Sequence, residues 1–292
     1  MNPLQKWLLA ARPKTLWASV APVVVGTAMA YGDGLHHWPS AVVALCCAVL
    51  IQVGTNLAND YFDYTKGADI ERKEGPLRLT QAGLISPRAM KIATILVFLI
   101  ACVGAIALVR RGGIPIVLIG VSCILAGILY TGGPFPYGYH GLGDLLCLIF
   151  FGPVAVSGTY YVQALSFHPT VALAGLGPGM LITAILTVNN LRDMEDDRKA
   201  GKRTLAVYLG STFTRWEYAL LVILGASTPV LIYLITGQRI SSLLTLLVIP
   251  LAWPAYTTLR TRSDGAALNP ALAYTARLPL VYSLLFTLGW LL

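Results

Sequence analysis

The sequence predicts an all-α integral membrane protein, a bundle of about nine transmembrane helices. Composition is the first reason: of 292 residues, 56% are hydrophobic and only 12% charged, with a mean hydropathy of +0.70, against roughly one-quarter charged in a soluble domain. Length is the second. Apolar runs near 15–32, 40–58, 90–109, 114–131, 143–164, 170–191, 218–236, 241–259 and 271–292 approach the roughly 20 residues that cross a bilayer. The third is charge: 17 of the 21 Lys and Arg fall in the N-terminus and every second loop, which puts the N-terminus inside and the C-terminus outside. The net charge of +8 therefore reads as topology and contact with anionic lipid, and not as nucleic-acid binding.

The first run follows Arg12-Pro13-Lys14 and ends at Ala28-Met29-Ala30. With eight further runs behind it, it reads as a span and not a cleaved signal peptide. The second run ends in an acid cluster, Asn56-Leu-Ala-Asn59-Asp60-Tyr-Phe-Asp63, and opens into the polar loop 59–89. Runs three and four meet at Arg110-Arg111 on the outer side. The fourth gives way to Tyr130-Thr-Gly-Gly-Pro134 and an aromatic, glycine-rich loop ending at Asp144. Runs five and six carry Gly152-Pro153 and Gly177-Pro178-Gly179, read as close-packing or kink positions with no direct role. The sixth ends in a second cluster, Asn189-Asn190-Leu-Arg192-Asp193-Met-Glu195-Asp196-Asp197, and the polar loop 192–217. Runs seven and eight contain Pro229 and Pro250, and Arg277 lies in the last. Cys46, Cys47, Cys102, Cys123 and Cys147 lack metal-type spacing and read as small buried hydrophobes.

Carboxylates at membrane depth mark function, and these two clusters match. In each, Asn, Asp and Asp occupy relative positions 0, 4 and 7: Asn56, Asp60, Asp63 and Asn189, Asp193, Asp196. A continuing helix places all three on one face, and two facing stripes make an oxygen cage for Mg²⁺. Lys, Gly and then Arg follow both clusters, which reads as a duplication within a single domain, residues 1–292, with pseudo-repeats of about 1–140 and 141–292. The metal candidates are Asp60, Asp63, Asp193, Asp196 and Asp197. Arg72, Arg78, Lys202 and Arg203 are candidates to bind phosphate oxygens and stabilise a leaving group, with Asn56, Asn59 and Asn189 beside them. Glu195 points off its stripe and reads as a surface residue. An ordinary solvated helix end explains either cluster alone; two clusters, both beside Arg, point to a diphosphate site. Beside such a site the ring of Tyr130 suits an allylic cation.

These residues resemble the UbiA-type intramembrane aromatic prenyltransferases, and within them the naphthoate branch. The resemblance rests on Ala11-Arg-Pro-Lys-Thr15, Asn59-Asp60-x2-Asp63, Gly75-Pro-Leu-Arg78, Tyr130-Thr-Gly-Gly-Pro134, Gly141-Leu-Gly-Asp144 and Asn189-Asn-x2-Asp193-x3-Asp197-x3-Gly201-Lys-Arg-Thr204. The family's Asp-x3-Asp falls on Asp193 and Asp197. Its earlier Asn-x3-Asp-x3-Asp falls on Asn59, Asp63 and Gly67, so the last carboxylate is absent, with Asp69 or Asp60 as substitutes. The family's Tyr-Pro-x2-Lys keeps only Tyr130, a departure that sets the chain apart from the 4-hydroxybenzoate branch. The resemblance implies a nine-helix bundle around a central cavity in the bacterial inner (cytoplasmic) membrane, open to the cytoplasm. It implies Mg²⁺-dependent transfer of an all-trans polyprenyl group from its diphosphate to 1,4-dihydroxy-2-naphthoate with decarboxylation, giving demethylmenaquinone. Asp60, Asp63, Asp193, Asp197, Tyr130 and Arg203 would be catalytic, and Arg12 and Lys14 are candidates for the acceptor carboxylate. Two rival readings remain: another aromatic acceptor, or a cation-coupled transporter.

Overall fold

The computed structural model describes residues 1–68, 75, 77–262 and 265–292. Arg72 and Asp69 lie outside the described residues. Among the described residues the chain is helical throughout, with no strand.

Asn2 opens α1 (Pro3–Ala11) with a reciprocal capping box to Gln5, which satisfies two otherwise unpaired backbone donors. Arg12, at φ 52°, and Pro13 end it, and the chain re-enters as α2 (Trp17–Gly32) after a bend of 49°. Asn56 holds that elbow: its Nδ2 donates to the Ala11 carbonyl at 2.9 Å and to Thr15 Oγ1 at 3.0 Å. His37 caps α3 (Trp38–Thr65) and Ser86 caps α4 (Pro87–Gly112), each accepting from a backbone N–H three residues on. The two helices pack along their lengths. Gly113 separates α4 from α5 (Ile114–Leu129).

α6 (Gly143–Ile149) passes through a π-turn at Phe150–Val154 into α7 (Ala155–Ala164). Gly152 and Pro153 form the kink, as their residue types predict. The kink packs on α8 (Pro169–Arg192) with no room to spare: a Cβ on Gly152 would lie 2.8 Å from the Gly175 carbonyl oxygen and 3.1 Å from Gly179 Cα. The short α9 (Met194–Lys199) follows α8, then α10 (Leu205–Thr236), α11 (Val248–Thr261), α12 (Asn269–Thr275) and α13 (Leu278–Leu291). Arg277 sits at the break between α12 and α13, with its guanidinium over the Tyr274 ring.

The largest core cluster joins α2, α7, α8 and α10 to α13 around Tyr160, Tyr218, Tyr282 and Phe286. α4 instead shows Ile92, Ile95, Leu96, Leu99, Ile100 and Val103 outward, the dress of a helix facing lipid. Among the described residues, seven helices are long and apolar enough to cross a membrane, or eight if α1 and α2 count as one bent span. α5, at 16 residues, is apolar but shorter. Cys47 is buried, but Cys46 and Cys102 are exposed. A helix in lipid needs no polar outer face, so an apolar sequence position does not distinguish core from lipid side.

Arg111 and Arg239 close helix ends. Arg111 donates to the carbonyls of Val162 and Gln163 at 2.8 and 2.9 Å, and Arg239 to those of Trp290 and Gly32 at 2.7 and 3.2 Å. Each satisfies C-terminal carbonyls that have no partner in their own helix.

Candidate active site

Both acid clusters lie at the same end of the bundle, and one lysine joins them. Lys202 Nζ is 3.2 Å from Asp63 Oδ1 and 4.0 Å from Asp197 Oδ1. Asp63 is 1% exposed; its carboxylate also accepts from Arg78 at 2.8 Å and from the Tyr139 hydroxyl at 2.7 Å. The Lys202 and Lys66 ammonium groups stand over the Tyr139 ring, 4.8 and 5.0 Å from its centre. Both distances are within cation–π range. Burial pulls the Lys66 amine below the ordinary lysine value, with Asp63 opposing and Lys202 reinforcing the shift.

The two helix ends share one backbone signature. After Asp63 the chain turns through Gly67 at φ 70°, and the Ala68 N–H donates back to the Asp63 carbonyl at 3.0 Å. After Asp197 it turns through Gly201 at φ 74°, and the Lys202 N–H donates to the Asp197 carbonyl at 2.8 Å. This is the Schellman closure, which requires a residue that tolerates positive φ. Geometry therefore pairs Asp63 with Asp197, a register shifted by one from the Asn56–Asn189 correspondence.

Asp60 is directed elsewhere. Its two oxygens accept from the backbone N–H groups of Leu79 and Thr80, each at 3.0 Å, and it is 2% exposed. This pins the turn that presents Arg78 to Asp63, a different use from the metal ligation expected of Asp60. Asn56 likewise serves the elbow of α1 and α2. Asn59, one turn before Asp63, accepts from the Thr131 hydroxyl at 2.9 Å.

In the second cluster the expected continuous stripe is broken. α8 ends at Arg192, and Asp193 is its C-cap and the first flank of α9. Buried Arg192 forks the Asp193 carboxylate at 2.7 and 2.9 Å, reaches Asn189 Oδ1 and donates to Asn269 at 3.3 Å. Asp193 and Asp197 are buried, Asp196 is half-buried, and Glu195 is exposed and paired with Arg198. Asp196 and Arg192 also line a cleft of about 290 Å³ with Arg215 and Arg262. Arg203 is exposed, with its guanidinium over the Tyr208 ring; its backbone N–H donates to the Tyr139 carbonyl at 2.9 Å.

The aromatic loop completes the site. Tyr130 meets Tyr137 edge-on, and a Cβ on Gly138 would lie 2.7 Å from the Tyr130 carbonyl oxygen. Burial, with Asp144, Tyr137 and Asp197 adding to it, holds the Tyr130 phenol far above its usual range. Tyr130 therefore carries a neutral ring against the acids. Tyr139, Lys66 and Arg192 were not singled out as site residues from sequence. Tyr139 stood within the aromatic loop and Arg192 beside Asp193, but which partner each takes is set across helices.

Among the described residues, no three His, Cys, Asp or Glu side chains converge to hold an ion. The donors present are all oxygens, from Asp and Asn, which fits a hard divalent cation and no soft one. With Arg78 and Lys202 interleaved, the arrangement is chemically suited to a polyanion shared between cation and base.

Residues 19–291 match the model of the UbiA prenyltransferase family. The chain is 38% identical to 1,4-dihydroxy-2-naphthoate octaprenyltransferase of Escherichia coli (strain K12), over 98% of this chain and 94% of that one. It is 35% identical to human UbiA prenyltransferase domain-containing protein 1, over 98% of this chain and 83% of that one. Among solved structures it superposes on a UbiA homolog from Archaeoglobus fulgidus bound to DMAPP and Mg²⁺, with a TM-score of 0.67 and 18% identity, over 98% and 99% of the two chains. The pairing of two acid clusters at one end of a membrane helix bundle thus has its explanation in ancestry: the chain belongs to the UbiA prenyltransferase family.

Proposed function

We propose that this chain transfers an all-trans polyprenyl group from its diphosphate to 1,4-dihydroxy-2-naphthoate with loss of CO₂, giving diphosphate and the hydroquinone form of demethylmenaquinone, which becomes the quinone on later loss of two electrons and two protons. The observation that carries the reading is Lys202, held between Asp63 of the first cluster and Asp197 of the second. Relatives of 38% identity that carry this activity in their names support the acceptor.

Asp63, Asp193, Asp196 and Asp197 are the residues that would hold Mg²⁺. When bound, the ion draws off negative charge as the bond from C1 to diphosphate breaks. Arg78 and Lys202 bind the outer phosphate oxygens, and Arg203 and Arg72 extend that basic rim. Asn59 and Asn189 orient the acids, Asn56 and Asp60 brace the elbow and the Arg78 turn, and the face of Tyr130 stabilises the allylic cation. The polyprenyl tail lies along apolar side chains, which gains about 0.8 kcal/mol per CH₂ relative to water. Because the tail comes from lipid, that contact positions it more than it tightens binding.

We also infer nine spans in one domain, with the bent α1–α2 pair as the first and α5 as the fourth. The cluster end faces the cytoplasm by the distribution of Lys and Arg, in the inner membrane of a bacterium. The matching Schellman closures after Asp63 and Asp197 support an internal duplication with halves of about 1–140 and 141–292.

The test is product analysis by mass spectrometry with purified protein, Mg²⁺, a set of polyprenyl diphosphates, and 1,4-dihydroxy-2-naphthoate beside 4-hydroxybenzoate. Prenylated, decarboxylated product from the naphthoate alone is the expected result. Diphosphate release without that product would move the chain to another acceptor. No release would favour a transporter. Asp193→Ala is expected to abolish turnover while the protein stays folded in detergent.

A further inference from the structure

Arg215 and Arg262 are held at one end of the bundle without an anion. Arg215, half-buried on α10, donates from Nε to the Leu259 carbonyl at 2.7 Å and from Nη2 to the Arg262 carbonyl at 3.3 Å. Those carbonyls end α11, so the guanidinium is fixed in place as its cap. Carbonyls satisfy N–H groups but leave the charge unneutralised. Arg262 is exposed, and among the described residues neither arginine has a carboxylate partner. Both line the cleft of about 290 Å³ beside the second acid cluster. Ser211, one helical turn before Arg215, lies on the same wall, and the α8–α9 break forms the other with Arg192, Glu195 and Asp196. Arg192 is already tied to Asp193, and Glu195 to Arg198.

The charges of the cleft narrow its ligand. Three guanidiniums against two carboxylates leave one positive charge, which a phosphodiester with its single negative charge neutralises and a diphosphate would exceed. Guanidinium forks also match phosphate oxygens. The surroundings point to a lipid as the carrier of that phosphate. Trp216, next to Arg215, is 62% exposed, and Leu209, Phe213 and Leu220 on the same stretch of α10 are exposed as well. A basic cleft between helices, beside a bare indole and apolar side chains, has the composition of a bundle at headgroup level. We propose that this cleft holds the phosphate of a membrane phospholipid, with Arg215 and Arg262 as its charged ligands and Ser211 as a hydroxyl donor. A phosphate seated there ties α10 and the end of α11 to the α8–α9 break, the segment in which Arg192 forks Asp193.

The experiment is native mass spectrometry of the full chain in detergent, stripped of lipid and titrated with phosphatidylglycerol, for wild type, Arg215→Gln, Arg262→Gln and Arg260→Gln. Arg260 is exposed on the last turn of α11 and does not line the cleft, so its variant removes the same charge from the same surface. The first phosphatidylglycerol is expected to bind about tenfold more weakly to Arg215→Gln and Arg262→Gln, and as tightly to Arg260→Gln as to wild type. Arg215→Gln also uncaps α11. Should it fail to fold, Arg262→Gln decides, because that exposed side chain makes no hydrogen bond among the described residues. Equal affinity in all the proteins would overturn the proposal. An equal loss in Arg260→Gln would also overturn it, in favour of a diffuse surface field, as would equal binding of a diacylglycerol with the same tails and no phosphate. Displacement of the lipid by an equal concentration of inorganic phosphate would make free phosphate the occupant and overturn the lipid assignment.

Discussion

Asp60 and Asp63, three positions apart on one helix face, are both almost wholly buried and have opposite partners. Asp63 meets the side chains Arg78, Lys202 and Tyr139, whereas Asp60 spends both oxygens on the N–H groups of Leu79 and Thr80. Asp60→Asn leaves an amide in which only one oxygen can accept, so one buried N–H loses its charged partner at a cost of about 2 kcal/mol. A lowered thermal midpoint in detergent is expected, with KM for the polyprenyl diphosphate raised through a displaced Arg78; lost turnover at unchanged midpoint would instead make Asp60 a ligand. The charge type and spacing of these acids were legible in sequence. Their partners were not, because a carboxylate at a helix end takes whichever donor the neighbouring turn delivers.

Among the elements, the contact between the π-turn and α8 is a close backbone approach that fixes how α8 lies against α6 and α7. Gly152, Gly175 and Gly179 bring two backbones together, and α8 carries Asn189, Asn190 and Arg192 beyond that crossing. Gly152→Ala and Gly175→Ala should each cost about 1–3 kcal/mol by overpacking, read as a lower thermal midpoint. Activity should fall further than stability alone explains, since α8 shifts relative to α6. The glycines announced themselves in sequence as packing positions, and packing is what they do. The expected helical continuation through Asp193 failed because Arg192, turned inward, grips the Asp193 carboxylate and ends α8 there. Periodicity carries no information on where such a grip forms.

For the whole molecule, the distribution of basic residues makes a topological claim that labelling can check. With the exposed Cys46 and Cys102 replaced by Ser, Lys199→Cys should react with a membrane-impermeant maleimide only when the cytoplasmic face is open. Arg110→Cys should react from the opposite side. The reverse pattern would invert the orientation. By itself the sequence determined a helical membrane bundle and two acid clusters at a single end, because hydropathy and charge are properties of short runs read along the chain. Only the tertiary structure decided that Lys202 joins Asp63 to Asp197 and that Tyr139 closes on Asp63. Each of those depends on which side chains helix packing brings within a few ångströms, and no local pattern encodes a distance between helices.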